Sequence, residues 1–564
     1  MMGSRFYAVV AILLGAMGWM AVTSVRDESQ TWDEAIHLSA GYSYWKTGDY
    51  RLNPEHPPLG KLWNAIPLLF GDVPLPLGHP SWQKNQEFEF GLQFLYNGPY
   101  PAGDLLFQAR MMTVAIMLLF GLSLAIWVRA KFSAEVAIAV LVFYCFDPTI
   151  IAHGRYVTSD LLIAFTSFLA AISWLWWLER GRWWRLGIAG VALGLAMAGK
   201  YSWPFLLPVF ILIALLQRIP LKRIAEGLIV VVMFGAVVVA ITYAPLSSKL
   251  IPATQRYRKA HPQTILLSKA IEGTYESKTT LGRIAMAVAP RLGIQDHPYL
   301  LGILKHASHS RMGHHAYLFG QVSESGWWYY FPAALAVKMP VGQILALILA
   351  IVIWVRHRIF SPAGFQLAAL FTVLYLSIAM FAGINIGVRH LLPILPFLFV
   401  VMAVTLAGRS WRVALAVCLL LSAAETIWRH PYHLSFINLL AGGPDQGYKY
   451  LADSNIDWGQ DFRRLRTWKD TNLGDDHLCV ASFGGGSMEY FGLSGSPVPH
   501  SDDLPGRQDV DCMAAVSVTL LAGDYVGRDT YAWLRELTPV ARIGHSIHIY
   551  DLRARNRRAR IPKE

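Results

Sequence analysis

Apolar runs of membrane-spanning length recur along the chain. A bilayer core about 30 Å thick needs roughly 20 apolar residues per helix. On that measure about eleven spans are expected, at 6–24, 110–129, 134–151, 160–178, 185–200, 202–217, 224–244, 340–355, 363–382, 388–406 and 411–428. Two further apolar stretches, near 57–70 and 327–339, read as re-entrant or interfacial helices, for about 11–13 in all. The N-terminal run is long and lacks a small-x-small cleavage site at its end, so it reads as an uncleaved span rather than a signal peptide. Beyond 430 the pattern changes. Short β-rich runs such as Leu478–Phe483 and His545–Tyr550 alternate with helical stretches, and Gly484-Gly485-Gly486 reads as a turn. The expected organisation is a transmembrane domain at 1–429, a small α/β domain at 430–554 and a basic tail at 555–564.

Loop charge sets the orientation. The short loops carrying Arg129 and Lys131, Arg180 to Arg185, Arg218 to Arg223, Arg356 and Arg358, and Arg409 and Arg412 share one side with Arg5. That side is the cytoplasm, because short cytoplasmic loops carry the excess of Lys and Arg. The long segments 26–109 and 247–339 and the tail from 429 then face outward. The N-terminus is expected in the cytoplasm and the C-terminus outside, in a plasma (inner) membrane.

Composition agrees. Of 564 residues, 54% are hydrophobic and 15% charged, against about 25% charged in soluble domains. Mean hydropathy is +0.38. The net charge of +12 would raise nucleic acid as a partner in a soluble protein. Here the positive loops follow from topology, the Arg553–Arg560 run suits solvent or lipid headgroups, and no nucleic-acid partner is expected. Of the four cysteines, Cys145 and Cys418 lie in apolar segments as packing residues. Cys479 and Cys512 lie in the tail, where an outward location permits a disulfide. No zinc-type cysteine spacing occurs.

Candidate chemistry gathers on the outer side. Thr31-Trp32-Asp33-Glu34-Ala35-Ile36-His37 opens the first outer segment, close to the membrane. Asp33 and His37 are i and i+4 on one helix face. Thr31 and Glu34 also fit a capping box, which accounts for acids at this place without a catalytic role. Asn53-Pro54-Glu55-His56-Pro57-Pro58-Leu59-Gly60-Lys61 follows, a proline-stiffened turn presenting His56 and Lys61. Asp160, Lys200, Arg389 and His390 each sit at the outer mouth of a span, with Arg155 near Asp160. Snorkelling explains any one basic residue there. Several together, on the side the charge rule disfavours, point to an anion such as a phosphate. The histidine-rich stretch from His297 through His306 and His309 to His314 and His315 is irregular, without accompanying cysteines or acids. It reads as an outer loop over the site, with His314 or His315 near an acceptor.

These motifs in this order resemble the protein O-mannosyltransferase family of GT-C membrane glycosyltransferases, relatives of the lipid A aminoarabinose transferases. The resemblance rests on the Asp33-Glu34 pair with His56-Pro57-Pro58-Leu59-Gly60-Lys61, on Asp147-Pro148 through His153-Gly154-Arg155 to Thr158-Ser159-Asp160, and on Ala198-Gly199-Lys200-Tyr201-Ser202. It continues through Gly326 to Pro332, Lys338-Met339-Pro340, Asn385 to Pro393, and Leu440 to Asp461. The tail is not the β-trefoil module of eukaryotic members.

The resemblance implies a polyprenyl-phosphate-linked sugar as donor, transferred with inversion to a hydroxyl on a protein, a lipid or a glycan. Asp33 is then the expected general base, with Glu34 or Asp160 sharing or orienting that work. His56, Lys61, Arg155, Asp160, Lys200, Arg389 and His390 form the donor side, and His37, His314 and His315 the acceptor side. No resident cofactor or metal is expected, although Asp33, Glu34 and Asp160 offer ligands for a divalent cation. The rival expectation is a transporter or flippase of lipid-linked sugars. Transporters favour internal repeats and midplane sites, whereas these ionisable residues cluster at the outer mouth.

Overall fold

The computed structural model describes residues 3–260, 298–300, 302–303, 305–306, 313–357, 362–474, 476–501 and 511–553. Among the described residues, six helices are long and apolar enough to cross a membrane: Gly3–Val25, Ala102–Lys131, Asp160–Arg180, Leu221–Tyr243, Ala363–Met380 and Arg409–Trp428. Five shorter apolar helices lie at Ala134–Cys145, Trp183–Gly199, Trp203–Leu216, Val341–Arg356 and Leu395–Leu406. Together they match the expected spans one for one. The protein is a multi-pass helical membrane protein. Lipid tails are as apolar as the helices, so close packing of small residues has to hold spans together. Trp183–Gly199 lies against Leu221–Ala260 in this way: a Cβ on Gly194 would fall 2.5 Å from Val238 Cβ.

The two stretches read as re-entrant or interfacial are short helices, Leu59–Ala65 with a 3-10 turn to Phe70, and Tyr330–Lys338. The first packs beneath Glu34–Thr47 at a position only glycine tolerates. A Cβ on Gly41 would sit 2.1 Å from the Lys61 carbonyl oxygen. Glu87–Tyr96 covers the same helix, with Gly91 against the Ala35 backbone.

The capping expectation for the Glu34 helix is met only in half. The Glu34 carboxylate accepts from the Thr31 N–H at 2.9 Å. The helix starts at Glu34 itself, however, and Asp33 stands at its N-cap without a side-chain capping bond. The Asp33 carboxylate is thereby left for other partners.

The C-terminal region forms a five-stranded sheet in the order β4-β3-β5-β7-β6. Its strands are β3 (Leu478–Ala481), β4 (Ser496–Pro497), β5 (Met513–Ser517), β6 (Ala541–Ile543) and β7 (Ile547–Asp551), following a hairpin of β1 (Ala316–Leu318) and β2 (Gln321–Ser323). β3 runs parallel to β4 and β5, and β7 runs antiparallel to β5 and β6. Cys479 on β3 is bonded to Cys512, just before β5. The basic run Arg555–Arg560, together with His297 and His309, lies outside the described residues.

This region is stitched to the segment that follows the first span. Ser29 N–H donates to the Gln460 carbonyl at 2.8 Å and Trp32 N–H to the Trp458 carbonyl at 3.1 Å. The Gln30 side chain donates to the Gly485 carbonyl at 2.6 Å. The Gly484 turn meets Gly459 so closely that a Cβ there would fall 2.6 Å from its Cα. Asp33 is therefore held between the membrane helices and the tail.

Candidate active site

A cavity of about 390 Å³ opens where these parts meet. Four of its charged lining residues form a chain of ion pairs. Arg389 Nη1 donates to Asp33 at 3.2 Å and to Asp160 at 3.2 Å. Lys200 donates to the other oxygen of Asp160. Asp160 begins the Asp160–Arg180 helix, and Lys200 follows the end of Trp183–Gly199. Both mouths therefore deliver their side chains to one level.

Arg389 comes from a turn clamped to the tail. Val388 N–H donates to the Asn455 side chain at 2.9 Å, and Ser454 Oγ donates to the Ile386 carbonyl at 2.8 Å. The guanidinium lies over the Trp458 ring, 4.2 Å from its centroid. Arg389 Nε and His390 Nε2 are buried and have no hydrogen-bond partner among the described residues. A buried donor without a partner is costly, so this cluster has binding capacity to spare. Asp33 keeps 25% of its side chain exposed, whereas Asp160 keeps 2%.

His37 and His56 form a second element of the lining, their ring centroids 5.0 Å apart. Burial pushes the His37 imidazole down to about 4, against the opposing pull of Asp33. Burial, helped by His37 and Lys200, holds His56 well below its ordinary value. Both rings are therefore neutral near neutral pH, able to donate and accept one hydrogen bond each.

Of the expected site residues, the cavity brings together Asp33, His37, His56, Asp160, Lys200, His314, Arg389 and His390. His315 is outside the lining, its ring 6.1 Å from that of Tyr525. Three expected residues, Glu34, Lys61 and Arg155, lie away from the cavity lining. Glu34 is turned away from the cavity into a buried pair with Arg110, which reaches it through Nε at 2.8 Å and Nη2 at 2.6 Å. Burial opposes its charge, but Arg110 and the Thr31 and Val157 N–H groups hold it below its ordinary value. Every acceptor site on that carboxylate is in use, so it cannot take a proton from a substrate. Lys61 is buried, its ammonium donating to Tyr44 Oη at 3.0 Å and to the carbonyls of Asn53 at 2.6 Å and His56 at 2.8 Å. It braces the His56 turn instead of facing an anion. Arg155 is buried against Glu28 at 3.0 Å and Tyr156 at 3.2 Å, again away from the cavity. The three acids offered as cation ligands also fail to converge, since Glu34 is committed to Arg110 and the two aspartates to Arg389.

The tail adds four lining residues that carry no expected role: Asp453, Trp458, Phe483 and Tyr525. Asp453 and Trp458 lie in the Leu440–Asp461 run on which the resemblance rests, without an expected role there. Tyr525 sits between Gly523 and Gly527, all three with positive φ, which is the one local hint of a projecting turn.

Residues 11–233 match the family model described as dolichyl-phosphate-mannose-protein mannosyltransferase. The resemblance read from the motifs is to this family. The matched stretch contains Asp33, His37, His56, Asp160 and Lys200, while Arg389 and the tail residues lie beyond it. No curated protein matches the chain. Among solved structures it is similar to ArnT from Cupriavidus metallidurans bound to undecaprenyl phosphate, at 14% identity over 97% of this chain and 98% of that chain, with a TM-score of 0.48. The S. cerevisiae protein O-mannosyltransferase Pmt1-Pmt2 complex bound to the sugar donor is similar at 18% identity, over 44% of this chain and 34% of that chain, with a TM-score of 0.33. The Archaeoglobus fulgidus oligosaccharyltransferase in the apo form is similar at 11% identity, over 88% and 60%, with a TM-score of 0.45.

Proposed function

We propose that the protein is a glycosyltransferase that moves a sugar from a polyprenyl-phosphate carrier to an acceptor hydroxyl at the extracytoplasmic face of the membrane. The observation that carries the reading is the Asp33–Arg389–Asp160–Lys200 chain in a cavity at the ends of the spans. The family match supports the donor class, since its description names a dolichyl-phosphate sugar. The positive-inside loops on the opposite side and the Cys479–Cys512 bond support the outward orientation.

The roles follow from charge and accessibility. Lys200 and Arg389 take the donor phosphate, with the spare Arg389 Nε and His390 Nε2 as further partners. Asp160 sets the position of both cations. Asp33, the exposed acid, accepts the proton of the acceptor hydroxyl as its oxygen attacks the anomeric carbon. The new C–O bond forms as the bond from that carbon to the phosphate oxygen breaks, and the polyprenyl phosphate departs with the electron pair. Attack opposite the leaving group inverts the anomeric centre. A positioned base contributes about 10²- to 10⁴-fold. His37 and His56, neutral, are placed to hydrogen-bond hydroxyls of the bound sugar.

The test is transfer by purified protein in membranes, with radiolabelled polyprenyl-phosphate sugars and a membrane extract as acceptor source. Label is expected in an acceptor, with the anomeric configuration inverted. Movement of the lipid across vesicles without transfer from any sugar donor would instead support a transporter.

A further inference from the structure

The acceptor's chemical class can be read from the wall the tail contributes. This step rests on the transferase reading for its meaning. Trp32, next to Asp33, stacks on Phe483 with ring centroids 5.2 Å apart, and Phe483 stacks on Tyr525 at 5.1 Å. The Tyr525 hydroxyl donates to the Asp453 carboxylate. One continuous surface thus runs from the proposed base to a phenol–carboxylate pair, and all four side chains line the cavity.

The backbone is arranged to present this pair. Asp453 has φ 55° and Tyr525 φ 65°, a left-handed conformation uncommon in residues other than glycine. Such conformations persist where surrounding structure over-determines them, often at functional sites. Here Asp453 N–H donates to Thr519 Oγ1 at 3.0 Å, and the Asp453 carbonyl accepts from Ile456 and Asp457 N–H at 2.9 Å each. Ser454 N–H is spent on the Asp453 carboxylate. These backbone groups are therefore not free to pair with a peptide strand, the usual way an extended peptide is held. What remains toward the cavity is aromatic surface beside a carboxylate and a phenol. That combination suits a ring with apolar C–H faces and hydroxyl edges.

We propose that Asp453 and Tyr525, with the Trp32–Phe483 stack, form the acceptor subsite, and that the acceptor is a saccharide bearing free hydroxyls. The pair binds a hydroxyl remote from the reacting one. The aromatic stack carries the ring so that its nucleophilic hydroxyl reaches Asp33. His314, whose ring packs against Tyr525 with centroids 5.7 Å apart, closes the far side.

The experiment is saturation-transfer NMR on the full chain in lipid nanodiscs, with methyl glycosides and an acetylated threonine peptide as probes. Wild type is expected to saturate at least one methyl glycoside. Tyr525→Phe, which keeps the ring but removes the hydroxyl, and Asp453→Asn are each expected to lower that signal at least fivefold. Binding of polyprenyl phosphate by Tyr525→Phe should stay within twofold of wild type, which a general structural collapse would not allow. Equal glycoside signals in wild type and both variants overturn the proposal. So does the absence of glycoside saturation in wild type, or peptide binding that depends on Tyr525. The two readings fail separately. Tyr525-dependent glycoside binding in a protein that transfers no sugar supports the subsite and removes the transferase.

Discussion

Asp33 and Glu34 are neighbours in sequence, yet they belong to two different ionic clusters. Around Glu34 the charged groups are matched. Its carboxylate accepts from Arg110 Nε, Arg110 Nη2, Thr31 N–H and Val157 N–H. Arg110 uses its remaining reach on the carbonyls of Val25, Glu28 and Ser29. Around Asp33 the matching is incomplete. One Arg389 nitrogen is divided between two carboxylates, and Arg389 Nε and His390 Nε2 have no partner among the described residues. Both clusters hold the same residue types near the same helix end. What separates the two clusters is whether their charged groups line the cavity, and residue type does not tell which.

The largest effect expected from breaking this contrast is on stability at the saturated cluster. Glu34→Ala leaves the Arg110 charge buried alone, and breaking a buried pair in this way costs about 3–5 kcal/mol. Thermal unfolding of the purified variant should show that loss. A melting point equal to wild type would mean the pair does not brace the fold.

The open cluster should respond through binding. Arg389→Lys keeps a positive charge but cannot serve Asp33, Asp160 and a phosphate from one planar fork. Losing one charge-assisted bond of about 1.5–3 kcal/mol corresponds to a rise of about 10- to 100-fold in the donor KM. Steady-state transfer at varied donor concentration reads this directly, and an unchanged KM would remove Arg389 from donor binding.

The smallest effect is a pH dependence. His37 has its folded value pushed down to about 4 from an ordinary 6.5. Between those values the unfolded chain binds more protons, so stability falls as pH drops through that window. The slope from this one group is about 1.4 kcal/mol per pH unit. Melting curves at pH 7 and pH 5 should show it in wild type, and His37→Gln should make the slope shallower, with His56 supplying part of the remainder. An equal slope in the variant would assign the loss to other groups.

Much of this architecture is legible in the sequence, for identifiable reasons. Spans announce themselves because burying a backbone in lipid demands about 20 apolar residues in a row. Lys200 and Arg389 stand out because Lys and Arg are disfavoured at span ends on the side expected to face outward. The sorting of Glu34, Lys61 and Arg155 into braces is not legible. Their partners lie elsewhere in the chain: Arg110 is 76 residues from Glu34, and Lys61 is satisfied by carbonyls that every residue carries. The tail's share is hidden for a related reason. Asp453, Phe483 and Tyr525 sit in a polar region that reads as a separate module, and only tertiary packing brings them beside Asp33.

The most direct test is a side-by-side measurement of sugar transfer per folded molecule for Asp33→Asn and Glu34→Gln, with a radiolabelled polyprenyl-phosphate donor. The expected result is that Asp33→Asn folds normally and transfers at least about 100-fold more slowly, while Glu34→Gln is less stable but transfers at a rate near wild type once folded. The opposite assignment, with transfer intact in Asp33→Asn and lost in folded Glu34→Gln, would contradict the division between an open, reactive cluster and a closed, structural one.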